Sequence, residues 1–102
     1  MREMVNKGAK FLDENYKGWY KTNRIKIKTL NLLDSKKCIL GQLFKHENDG
    51  YFYASNHIDG LKDDNVRRAL GFTLFENDSG DPTELTLLWV EEIKKRRKKS
   101  NG

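Results

Sequence analysis

Lys37-Cys38-Ile39-Leu40-Gly41-Gln42-Leu43-Phe44 is the most concentrated apolar run in a chain of 102 residues, 34% of them charged. Whatever element this run forms lies in the middle of the core, so its reading decides the fold class. Asp34 and Ser35 precede it, and either can cap a helix by accepting from the free amides of the first turn. A helix from about Lys36 to His46 places Ile39, Leu40, Leu43 and Phe44 on one face, with Cys38 and Gly41 on another. Gly41 then marks a close approach by a neighbouring element rather than a break. A strand is the competing reading.

Working outward toward the N-terminus, Ile25 and Ile27 alternate with Arg24, Lys26 and Lys28, the pattern of a short half-buried strand with cations on its open side. Before it, Met4, Val5, Gly8, Ala9, Phe11, Leu12 and Tyr16 recur at helical spacing, which predicts a helix from Arg2 to Tyr16 with Gly18 as its stop. Toward the C-terminus, Asn48-Asp49-Gly50 is a turn signal, and Tyr51-Phe52-Tyr53 reads as a short strand or a packed loop. Asp59 to Leu70 reads as a helix with Leu61, Val66, Ala69 and Leu70 on its apolar side. Gly71 and Phe72 complete a helix-ending motif after it. Glu76-Asn77-Asp78-Ser79-Gly80 is a polar loop.

The clearest start signal comes last. Asp81-Pro82-Thr83-Glu84 combines a capping aspartate, a proline at the first helical position and a glutamate three residues after the cap. Leu85, Leu88, Trp89 and Ile93 form the stripe of this final helix, widened by Leu87 and Val90. The expected fold is mainly α (α+β): a single domain over residues 1–95 of three to four helices, with at most a small two- or three-stranded antiparallel sheet. Residues 96–102 are expected to form a basic, frayed tail.

Composition bounds the function. Leu, Ile, Val and Phe make 25 residues, above the roughly 20% below which highly charged chains stay disordered. A lone cysteine forms no internal disulfide, and the N-terminus lacks the apolar segment of a secretory signal, so the expected setting is a reducing cytoplasm. Apolar runs are far too short to span a membrane. Net charge is +5, but unevenly spread: +7 over residues 1–45, −8 over 46–93 and +6 over 94–102. Either the basic and acidic segments face each other and neutralise, or the molecule carries a basic face for a polyanion.

Chemical motifs are thin. Cys38, His46 and His57 lack the tight spacing of a zinc site, and Cys38 sits among Ile39, Leu40 and Phe44 with no base beside it. The acidic loops miss the calcium-loop spacing, and neither common phosphate-binding glycine pattern is present. No cofactor, metal or catalytic residue is therefore expected, and the chain is read as a non-enzyme. What remains is cations interleaved with aromatics. Trp19, Tyr20, Lys21, Arg24, Lys26 and Lys28, with Tyr16 and Lys17 just ahead, offer charge for phosphates and rings for stacking. The plain alternative packs Trp19 and Tyr20 into the core and leaves the lysines solvated. Lys94, Lys95, Arg96 and Arg97 open the second basic cluster, which is either a solubilising end or a groove reader.

Cys38-Ile39-Leu40-Gly41-Gln42-Leu43-Phe44, followed by Ala69-Leu70-Gly71-Phe72 and by Leu85-Thr86 with Trp89 and Ile93, resembles an uncharacterised family of small phage and prophage proteins. In that family a Cys-(Val/Ile)-Leu-Gly-Gln-Leu-(Phe/Tyr) run precedes a closing Leu-Thr…Trp helix. The likeness covers about residues 18–95, and this chain departs from it in its more basic tail and in the lysines around Ile25 and Ile27. It implies a phage accessory protein made in the host bacterial cytoplasm, acting by stoichiometric binding. The expected partner is a host defence protein, or an anionic nucleotide signal that it sequesters. The alternative is a basic nucleic-acid-binding module, and oligomeric state is open between monomer and homo-oligomer.

Overall fold

Arg2–Asn15 forms helix α1 in the computed structural model of the protein, which describes residues 1–45, 49–74 and 80–101. Val5, Gly8, Ala9 and Leu12 bury one stripe of α1, as their spacing requires. Gly18, at φ 77°, turns the chain into a 3-10 turn over Trp19–Lys21, a conformation glycine adopts without steric cost.

The predicted strand over residues 24–28 is absent. These residues form successive turns, with Ile25 N–H donating to Thr22 and Thr29 N–H to Lys26. The alternation still assigns the faces, since Ile25 is buried and Arg24, Lys26 and Lys28 are exposed. The place of a pairing strand is taken by one buried side chain: Gln42 accepts from the Lys26 N–H through Oε1 and donates through Nε2 to the Lys26 and Lys37 carbonyls at 3.2 and 2.9 Å. An amide side chain satisfies the backbone groups that a ladder would otherwise take.

Helix α2 is Ile39–Leu43, shorter than the Lys36–His46 expected; His46 lies outside the described residues. Its cap is the Cys38 sulfur, not Asp34 or Ser35. Asp34 instead closes the turn ahead, its Oδ1 accepting from Lys36 N–H at 2.8 Å and its carbonyl from Cys38 N–H at 2.8 Å. Gly41 is a point of close approach: a Cβ there would land on the Ser35 carbonyl oxygen, and one on Gly50 would land on the Gly41 carbonyl oxygen. Helix α3, Gly50–His57, packs against α2 at that contact. It stands where Tyr51-Phe52-Tyr53 read as a strand or loop, and Asp49 starts it by accepting from Phe52 N–H.

Helix α4 is Asp64–Ala69, capped by Asp63 through Asn65 N–H at 2.7 Å. Its inward side is not the expected one, because Val66 and Ala69 are exposed and Arg67 is buried. The Arg67 guanidinium meets the Tyr51 hydroxyl, the Leu61 carbonyl and the Asp64 carboxylate. The end of α4 is as expected: Gly71 sits at φ 74°, its N–H donates to Arg68 and the Phe72 N–H reaches back to Arg67.

Helix α5 is Pro82–Asn101, with Asp81 accepting from Thr83 and Leu85 N–H. It runs past residue 95, so residues 96–101 continue the helix rather than leaving it. Leu85, Trp89, Glu92 and Ile93 face inward against α1 and the 3-10 turn. The chain is thus a mainly α single domain with, among the described residues, five α-helices, one 3-10 turn and no strand. Its centre is aromatic: Phe72 stacks on Trp89 at 5.4 Å, and Trp19 meets Trp89 edge-on at 6.1 Å. The Trp89 indole N–H donates to the Gly71 carbonyl at 2.7 Å, joining the end of α4 to α5.

Candidate functional site

Extending the Leu85, Trp89, Ile93 stripe by one helical turn brings Arg96 and Arg97 to the inner side of α5. Arg96 grips Asp13 of α1 with two nitrogens, Nε to Oδ1 at 3.1 Å and Nη2 to Oδ2 at 2.9 Å, and reaches Glu92 with Nη1 at 2.7 Å. Glu92 also takes Lys95 at 2.9 Å. Burial opposes ionisation of Asp13, but the bonds from Arg96 and the Trp19 indole N–H outweigh it and hold the carboxyl below its ordinary range. Glu92 follows the same logic, with burial overcome by Arg96 and Lys95. The Asp13 bonds, in turn, hold Arg96 the more firmly protonated.

Arg97 joins two separate stretches of backbone, donating from Nε to the Tyr20 carbonyl and from Nη2 to the Ile25 carbonyl, each at 2.7 Å. This contact sets the second half of α5 against the segment that carries Lys21, Lys26 and Lys28. Two hollows adjoin it, one lined by Tyr20 and the other by Ile25 and Arg97 itself. Lys17, Lys95 and Lys99 rim an open cleft of about 790 Å³ over the Asp13–Arg96–Glu92 network. Lys21, Lys26 and Lys28 rim the other, which Arg97 also lines.

The arginines and lysines divide the labour. Arg2, Arg24, Arg67, Arg96 and Arg97 bond within the chain, while Lys17, Lys21, Lys26, Lys28 and Lys99 are exposed and form no ion pair among the described residues. The planar guanidinium fork suits fixed internal partners, whereas the ammonium stays hydrated at the end of a flexible stem.

Trp19 is 1% exposed and belongs to the core, its indole N–H donating to Asp13 at 2.9 Å, so it offers no stacking face. Tyr20 is half-buried with its ring edge-on to Trp19, and lines the first cleft. Lys21, Lys26 and Lys28 stand together. Arg24 points elsewhere, donating to the Leu43 carbonyl at 3.3 Å. Lys94 is exposed but lines neither hollow, Lys95 serves both Glu92 and the cleft rim, and Arg96 and Arg97 hold the fold.

A third groove, of about 460 Å³, lies among residues that the sequence patterns do not group. Trp19, Leu43 and Phe44 form its floor, Tyr16 and Tyr53 are among its walls, and Lys17 and Arg24 stand at its edge. The missed signal was helical: Asp49 as cap puts Tyr53 and His57, four residues apart, on one face of α3, where they stack.

Cys38 is enclosed and bonded as a cap. Its sulfur accepts from Gly41 N–H at 3.3 Å, and burial pushes the thiol up to about 11. Among the described residues no group of three or more His, Cys, Asp or Glu gathers as metal ligands would, and no helix is long and apolar enough to cross a membrane. Comparisons with protein families, with curated proteins and with solved structures find no match.

Proposed function

We propose that this chain acts by stoichiometric binding, without catalysis, and that its partner is a nucleic acid held by its phosphates across the lysine face. The observation that carries this reading is the Arg97 clasp, which fastens the α5 segment carrying Lys95 and Lys99 to the segment carrying Lys21, Lys26 and Lys28, with Lys95 the one rim lysine paired to a carboxylate, Glu92, among the described residues. Enclosed sequestration of a nucleotide signal is less well supported, because both hollows are open and Trp19 is buried. The resemblance to phage and prophage proteins suggests the setting: a host bacterial cytoplasm, where such occupancy counters an antiviral defence.

Salt titration tests the reading. Each phosphate contact contributes roughly 0.7 to 0.9 to the slope of log affinity against log salt. Replacing Lys17, Lys26, Lys28 and Lys99 with Gln is expected to weaken binding to DNA or RNA and to reduce that slope by about three. Absence of binding at low salt, or an unchanged slope in the variant, overturns it.

A second reading, inhibition of a host defence protein, is favoured by one feature. Leu33 and Leu87 are 75% and 62% exposed, and the preceding residues Leu32 and Thr86 are hydrogen-bonded at 3.1 Å, so two bare leucines share a neighbourhood. If Leu33→Ser with Leu87→Ser abolishes phage protection in infected cells while the lysine variant does not, the protein partner is the right one.

A further inference from the structure

The lysine face on its own would hold single and double strands alike. The third groove adds a distinction, and the inference drawn from it rests on the nucleic-acid reading above. The groove is continuous with that face on both sides: Lys17 borders both it and the Asp13–Arg96 cleft, and Thr22 borders both it and the Lys21–Lys28 hollow. A strand that follows these cations meets the groove at its Lys17 and Thr22 borders.

The groove's chemistry is aromatic. Phe44 meets Tyr16 edge-on at 5.6 Å and Tyr53 at 5.8 Å, so both tyrosines are braced against one buried ring. His57 stacks on Tyr53 at 4.7 Å with the planes 8° apart, which braces that ring further. Both tyrosines are half-buried with part of each ring accessible, and rings already held in place lose little freedom on contact. At the edge, Arg24 uses one N–H on the Leu43 carbonyl and keeps others for an anion. Asp59 acts on Tyr16 and pairs with Lys62 at 3.6 Å. Burial, then Tyr53 and Asp59, raise the Tyr16 hydroxyl above its ordinary range, and a tyrosine wall is neutral at physiological pH in any case.

We propose that the Tyr16–Phe44–Tyr53 groove receives an unstacked nucleobase while Lys17 and Arg24 take the flanking phosphates, so that the partner is a single strand. Base–aromatic stacking is tolerant of sequence and is open only to a base released from its pair. The binding it supports is therefore strand-selective and not sequence-reading.

Three probes test this on the intact chain: an oligothymidine of about twelve nucleotides, a duplex of equal length, and an abasic strand of the same backbone charge, all at one salt concentration. The expected result is oligothymidine bound about tenfold more tightly than the abasic strand or the duplex. Tyr16→Leu and Tyr53→Leu are each expected to remove most of that advantage while leaving duplex affinity unchanged. An abasic strand bound as well as oligothymidine overturns the inference irrespective of how the variants fold, and so does an equal loss for oligothymidine and duplex in both variants. Those outcomes leave the nucleic-acid reading standing; it falls only if none of the three probes binds at low salt.

Discussion

Cys38 shows how one atom is used twice. Its sulfur closes the first turn of α2 by accepting from Gly41 N–H, and it fills space at 2% exposure beside Ile39 and Leu40. Serine offers a better acceptor in the same geometry, whereas alanine offers none and leaves a donor in a dry site. Cys38→Ser should therefore cost less than Cys38→Ala, for which a loss of about 1 to 2 kcal/mol is expected by urea unfolding. A thiol raised to about 11 is overwhelmingly protonated at neutral pH. Alkylation by iodoacetamide should be slow in the native protein and rapid after denaturation; fast native labelling would show that the thiol is not enclosed as described. The sequence pointed to a buried, inert cysteine from its apolar neighbours, but the cap was hidden, because sulfur is a poor acceptor and Asp34 and Ser35 looked the better candidates.

At the scale of elements, local signals carried the ends of helices better than their faces. Asp81-Pro82 starts α5 and Gly71-Phe72 ends α4 as their residue types require. Gly71 holds φ 74°, and a Cβ there would also come within 3.1 Å of the Val5 backbone nitrogen. Gly71→Ala should cost about 1 to 2 kcal/mol for the left-handed backbone alone, plus displacement of α1. A thermal midpoint unchanged from wild type would exclude that geometry. Two elements misled because a tertiary partner decided them. Residues 24–28 alternate like a strand, yet the Gln42 side chain supplies the bonds a strand would have made. On α4 the buried residue is Arg67, since the Tyr51 hydroxyl, the Leu61 carbonyl and Asp64 await its guanidinium; an apolar-stripe argument favours Val66 because it does not count satisfied cations.

At the scale of the molecule, the charge asymmetry was plain in the sequence but its resolution was not. Among the described residues the acidic middle meets the basic N-terminal segment in one ion pair, Arg2 with Glu91 at 3.3 Å, and leaves most of its cations uncovered. Glu92, at its end, and Asp13, within the basic segment itself, instead meet Arg96 and fasten α1 to α5. The signal was present as helical phase, because Arg96 lies seven residues after Trp89, but a run of six cations invites reading as one solvated tail. The clasp should make stability depend on pH in a definite direction. Both carboxyls have folded pKa values below their ordinary 3.8 and 4.5, so in the unfolded chain they bind protons more readily. Their contribution is complete above those ordinary values and is lost as the pH falls through the lowered, folded ones. Arg96→Met removes the principal opposing charge and leaves Glu92 buried with Lys95 alone, a change expected to cost about 2 kcal/mol at neutral pH. In acid both carboxyls are protonated in wild type as well, and the gap between the two proteins should narrow. Urea unfolding of both proteins across that range checks the sign: a gap that stays constant or widens on acidification would mean that the ion pairs do not hold α1 to α5, and that apolar packing alone sets the lysine face in place.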